Sequence, residues 1–144
     1  MAKPFVALLT VAGLAMMLSG CSALAGAQPA EVGDCVQIGD IAEGGEVDGV
    51  PTVDCGEAHD GQVVHIFDLP DGDFPSNEEV VDAVDENCRE GFETFVGMAF
   101  DESTLALNWL SPIEEGWEKG DRSVQCVAYL EGETTTSSFE GANI

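Results

Sequence analysis

Apolar residues follow three patterns along the chain. The first is a continuous run, Phe5 to Leu18, which comes after a single positive charge at Lys3 and ends in the small residues Ser19, Gly20 and Cys21. A spanning helix needs ~20 apolar residues to cross the hydrocarbon core. This run is shorter and has the proportions of a charged n-region followed by an apolar h-region. The second pattern is alternation. Gln62 to Leu69 (QVVHIFDL) is rich in β-branched residues and predicts a strand, broken sharply by Pro70-Asp71-Gly72-Asp73-Phe74-Pro75. Leu105, Leu107 and Trp109 alternate with Ala106 and Asn108 until Pro112. Val124, Cys126, Ala128 and Leu130 alternate with Gln125, Val127 and Tyr129. Both stretches read as strands, and Phe139 is expected in a short final one.

The third pattern is helical. Val81, Val84, Cys88, Phe92 and Phe95 recur at spacings of three and four and define one apolar stripe. Ser76 with Glu79 forms a capping box at the start. Glu78, Glu79 and Asp82 suit the positive end of the helix dipole, and Gly97 is a natural stop. Asp40 to Gly49 (DIAEGGEVDG) reads as a loop. Strands, then a helix, then strands predict an α+β fold: a small antiparallel sheet with one main helix packed on one face.

The end of the first apolar run decides how the cysteines are read. Leu18-Ser19-Gly20-Cys21 resembles the bacterial lipoprotein box. That resemblance implies a diacylglyceryl group on the Cys21 thiol and a mature chain that begins there. Two acyl chains make membrane anchoring stable. The expected organisation is a signal peptide over 1–20, a lipidated N-terminus and tether over 21–30, and one domain over 31–144, on the extracytoplasmic face of the cell membrane. Five cysteines then become an even set, Cys35, Cys55, Cys88 and Cys126, in an oxidising compartment.

Spacing alone leaves three pairings open. Cys88 lies on the apolar stripe of the helix, and Cys126 shares a strand face with Val124 and Leu130. Both thiols therefore point into one helix–sheet core, which predicts Cys88–Cys126 and leaves Cys35–Cys55. None of the four forms a C-x-x-C pair and no histidine stands at finger spacing, so zinc is not expected. No cofactor is expected either.

Charge narrows the partners. Without its first 20 residues, which hold one lysine and no acid, the chain sets 28 Asp and Glu against 3 Lys and Arg, a formal charge of −25. Phosphate backbones require clustered Lys and Arg, so nucleic acid is excluded. Adsorption to anionic headgroups is disfavoured as well, which leaves membrane contact to the lipid.

Candidate chemistry is sparse. His59-Asp60 has the composition of a general base with an orienting acid, the basis for an envelope-polymer hydrolase as an alternative function. The simpler reading puts His59 in a turn after Cys55, bonded to backbone. His65 is expected on a strand face with Val63 and Phe67. Asp68, Asp71, Asp73, Glu78 and Glu79 cluster around the strand–helix turn and suggest a Ca²⁺-dependent domain. An EF-hand frame from Asp68 fails, because Pro70 falls at position three and Asp73 where glycine is needed. Trp117, Gly120, Asp121 and Arg122 read as a packed tryptophan followed by a turn, with Arg122 held by a carboxylate. Trp109 is assigned to the core.

Four blocks occur together: Val32-Gly33-Asp34-Cys35-Val36; Val53-Asp54-Cys55 with Ala58-His59-Asp60-Gly61-Gln62-Val63-Val64; Asn87-Cys88; and Trp117-Glu118-Lys119-Gly120-Asp121-Arg122-Ser123-Val124-Gln125-Cys126. Over about residues 32–131 the chain resembles the actinobacterial family of septum formation domain proteins. Members of that family carry a GDC segment, a C-x-x-P-H-x-x-E-V segment, a mid-chain cysteine and a W-x-x-G-D-R-x-V-x-C segment. The chain departs from this pattern at Ala58, where proline is expected, and at Gln62, where glutamate is expected. The resemblance implies a role in cell division and envelope growth and brings no catalytic residue set with it. The expected function is a non-enzymatic binding or accessory module of the envelope, whose partner is an envelope protein or wall component.

Overall fold

The computed structural model describes residues 30–42 and 51–144. The expected signal segment, Cys21, the tether before Ala30 and the loop residues 43–50 lie outside them. Five strands form one antiparallel sheet: β1 (Cys35–Val36), β2 (Thr52–Val53), β3 (Gly61–Asp68), β4 (Ala106–Leu110) and β5 (Ser123–Tyr129). Their spatial order is β2-β1-β3-β5-β4. One long helix, α2 (Asn77–Val96), packs on one face, with two short helices, α1 (Ile38–Ala42) and α3 (Glu114–Glu118). The α+β architecture is the expected one.

The ends of α2 follow from its sequence. Ser76 accepts the Glu79 backbone N–H, and the Glu79 carboxylate accepts the Ser76 N–H at 2.8 Å. The backbone and side-chain hydrogen bonds from Ser76 hold the Glu79 carboxyl below its ordinary range. At the other end Gly97 takes φ 90°, a left-handed cap that costs glycine no Cβ clash. The buried stripe is Val80, Val84, Cys88, Gly91, Phe92 and Val96. The sequence reading is corrected at its start, where Val80 is buried while Val81 is 40 % exposed.

The stripe meets Val64, Val124, Cys126 and Ala128 of the sheet, with Leu69, Leu105, Trp117 and Phe139 closing the core around it. Two disulfides complete it. Cys88–Cys126 joins α2 to β5, and Cys35–Cys55 joins β1 to the segment after β2, as the side-chain directions predicted. The opposite face of the sheet has a smaller cluster, in which Val36, Val63 and Val127 pack with Ile41 of α1. Part of the expected loop is therefore helical: Asp40 lies inside α1, whose first N–H, that of Ile38, is accepted by Asp60 Oδ1 at 2.6 Å. Phe139 is buried but lies in no strand. The chain there makes only an isolated bridge between His59 and Thr135.

A β-bulge sets the geometry of β3. Its register against β5 slips between Val63 and His65, so Val64 has no partner in the ladder. An extra residue reverses the alternation beyond it. Val63 faces the small cluster, whereas Val64 joins the α2 core and His65 pairs with Cys126 on that same side. The expectation that His65 shares a face with Val63 is thus corrected, and only its pairing with Phe67 stands, the two rings being 6.1 Å apart.

The displaced His65 packs closely against α2 at Gly91 and explains a glycine inside a 20-residue helix. A Cβ at Gly91 would stand 2.2 Å from His65 Cγ. Gly91→Ala gains about 1 kcal/mol in helix propensity. It should nevertheless lose stability, because overpacking of this kind costs about 1–3 kcal/mol. Denaturant unfolding of Gly91→Ala, His65→Ala and the pair tests the cause. In the His65→Ala background the new methyl should become neutral or stabilising.

Candidate binding surfaces

His59 is fully buried. Its Nδ1 lies 2.9 Å from the Glu57 carbonyl oxygen, so Nδ1 carries the proton and donates it, while Nε2 reaches no hydrogen-bond partner among the described residues. Its ring faces Phe139 at 6.0 Å. Asp60 is turned away to cap α1, and no hydrogen bond joins it to His59. The two residues are neighbours in sequence but do not form a base with an orienting acid. Instead, the backbone of His59 exchanges both hydrogen bonds with Thr135, at 2.9 and 2.8 Å, and fastens the C-terminal segment to the domain.

Gln62 does the same from the start of β3; the sequence marks it only as a departure from the family's glutamate and gives no sign of this buried role. It is buried, and its Nε2 donates to the Gly33 carbonyl at 2.8 Å and to Ser138 Oγ at 3.0 Å. Its Oε1 accepts the Phe139 N–H at 2.6 Å. Gly33 holds φ 101° to present that carbonyl. The amide is used at both ends, as donor and as acceptor. A carboxylate here would face the Gly33 carbonyl with a second acceptor, so glutamine at this position belongs to this particular network.

The block around Trp117 is a structural knot. Trp117 is buried, and its Nε1 donates to the Gly72 carbonyl at 3.1 Å. The Arg122 guanidinium stacks over the indole at 3.7 Å and donates to the Trp117 carbonyl at 2.9 Å. Arg122 Nε donates to Asp71 Oδ1 at 3.0 Å, which supplies the expected carboxylate. Phe74 meets the indole edge-on. Gly120 at φ 96° turns the chain into β5.

The knot and the cap engage two of the five acids proposed around the strand–helix turn, Asp71 and Glu79. Among the described residues, no group of three His, Cys, Asp or Glu is close enough to hold a metal ion.

Two open grooves flank α2. One, of about 430 Å³, lies between α2 and β3, with His65, Gly91 and Phe95 in its walls and Glu90 and Glu140 beside them. The other, of about 270 Å³, lies between α2 and β4 and is lined by Val81, Arg89, Phe100, Leu107 and Trp109. Here the assignment of Trp109 to the core is corrected. β4 is the outermost strand, α2 does not reach across it, and Trp109 is 37 % exposed. Among the described residues, no helix is long and apolar enough to cross a membrane.

No curated protein and no solved structure matches the chain. The profile of the family described as "Septum formation" matches residues 21–126, most of the chain and all four cysteines of the two disulfides. The chain belongs to the septum formation family.

Proposed function

We propose that this chain is a lipid-anchored accessory module of the cell envelope, held through Cys21 on the outer face of the cytoplasmic membrane and acting by binding where the septum forms. Membership of the septum formation family supports the link to the septum, and the anchor rests on the Leu18-Ser19-Gly20-Cys21 segment. The geometry supports binding over catalysis. His59 is sealed in the interior, Arg122 is consumed by the Trp117 knot, and the two grooves beside α2 are open, with apolar side chains in both and acids at the rim of the larger. Two disulfides suit a small domain in an oxidising compartment. The expected partner is an envelope protein or a wall component.

Cells lacking the protein, imaged during division, should place or complete septa late. The wild-type chain should restore normal timing, and Cys21→Ser, released from the membrane, should not. Normal septa in the deletion strain would remove the function. Full rescue by Cys21→Ser would remove the anchor.

A further inference from the structure

We propose that the free edge of β4 is a docking site for an extended, cationic segment of a partner protein, which adds to the sheet as a sixth strand. The inference rests on the binding reading above and names its surface and chemistry.

β4 ends the sheet, and among the described residues nothing pairs with its outer side. Natural edge strands are guarded by charge, proline, a bulge or extreme shortness. The opposite edge, β2, is only two residues long. β4 has five residues, ALNWL, with no charge, no proline and an unbroken register against β5. Its outward groups are partly capped from within, since the Trp109 N–H turns to the side chain of Asn108 at 2.8 Å. An incoming carbonyl can take that place. Beside the edge, Trp109 and Val81 stay exposed around the 270 Å³ groove, ready to receive the side chains that an added strand would point toward α2. Exposed tryptophan is the side chain most enriched at interface hot spots.

Charge selects the occupant. From Ser103 to Ile113 the chain has no charged residue, yet it is bracketed by exposed acids, Asp101 and Glu102 on one side and Glu114 and Glu115 on the other. Asp101 is paired with Arg89 and Glu115 with Lys119, so Glu102 and Glu114 add negative charge beyond those pairs. Arg89 in the groove is already neutralised by Asp85 and Asp101 at 2.7 and 2.9 Å. A second copy would bring its own net charge of −24 to the same edge, and like charge disfavours that encounter. A segment with apolar residues at alternate positions and lysine or arginine at its ends matches both the groove and the brackets.

The test titrates a short synthetic peptide, valines alternating with threonines and flanked by paired lysines, into the full-length protein in neutral detergent. Backbone amide resonances report the site. Shifts should centre on Leu107, Asn108 and Trp109 and extend to Val81 and Arg89. Affinity should fall at least tenfold for Trp109→Lys, whose melting temperature confirms that it folds. It should fall equally for the peptide with alternate backbone amides methylated, which keeps charge and shape but cannot pair. Equal binding of the methylated peptide would mean diffuse charge attraction and overturn the proposal. Shifts centred on the His65 groove, a dimer with protected β4 amides, or no binding at millimolar peptide would also overturn it. None of these results touches the septal phenotype, so the two readings fail separately.

Discussion

Replacing Cys88 and Cys126 together by alanine should remove about 4 kcal/mol of stability, the loop-entropy value for two residues separated by 38 positions. Replacing Cys35 and Cys55, separated by 20, should remove about 3 kcal/mol. These are large shares of the roughly 5–15 kcal/mol that holds a typical domain together. The two bridges also sit differently. Cys88–Cys126 lies in the centre of the core, between Val84 and Phe92 of α2 and the inward face of β5, so its loss also loosens the packing of helix on sheet. Cys35–Cys55 ties down the two-residue strands β1 and β2, whose few ladder bonds hold them weakly. Denaturant unfolding distinguishes these effects. Both variants should lower the midpoint, and both should raise its slope, because an unlinked chain exposes more surface when unfolded. A loss under 1 kcal/mol for Cys88/Cys126 would mean that the helix is held by apolar packing alone.

Much of this architecture is legible in the sequence because local signals and core demands agree. Ser76, Glu79 and Gly97 mark the helix by their own chemistry, and the structure shows each in the predicted role. The disulfide pairing is legible for a similar reason: a helix stripe and a strand face each fix a thiol direction, and only one pairing satisfies both. The readings that fail depend on events without a local signature. The bulge at Val64 reverses the alternation of QVVHIFDL, and nothing in those residues announces it. Trp109 reads as core because strand alternation says which face a side chain takes, not whether anything covers that face. Gln62 and His59 are buried by contacts with Ser138, Phe139 and Thr135, more than 70 residues away, beyond the range of any periodicity. The surfaces available for binding were the least legible part, since grooves arise between elements and not within them.

Trp117→Ala should cost about 3–5 kcal/mol, the usual range for deleting a buried tryptophan, and it should do so by releasing two segments at once. The indole is the meeting point of the loop at Gly72 and Phe74, the turn at Gly120 and the guanidinium of Arg122. Without it, Arg122 keeps its bond to Asp71 but loses the platform that orients its planar fork. Hydrogen exchange should therefore rise around residues 71–75 and 119–123 while α2 stays protected. Trp117→Phe keeps a ring and gives up the bond to the Gly72 carbonyl, a loss of about 1–2 kcal/mol. Arg122→Lys should resemble a deletion, because an ammonium cannot stack on the indole and bond Asp71 in the same fork geometry. The comparison also separates structure from recognition. In a structural knot, stability and septal rescue fall together across Trp117→Ala, Trp117→Phe and Arg122→Lys. Loss of rescue by a variant that melts like the wild type would instead make Trp117 and Arg122 part of the surface that meets the partner.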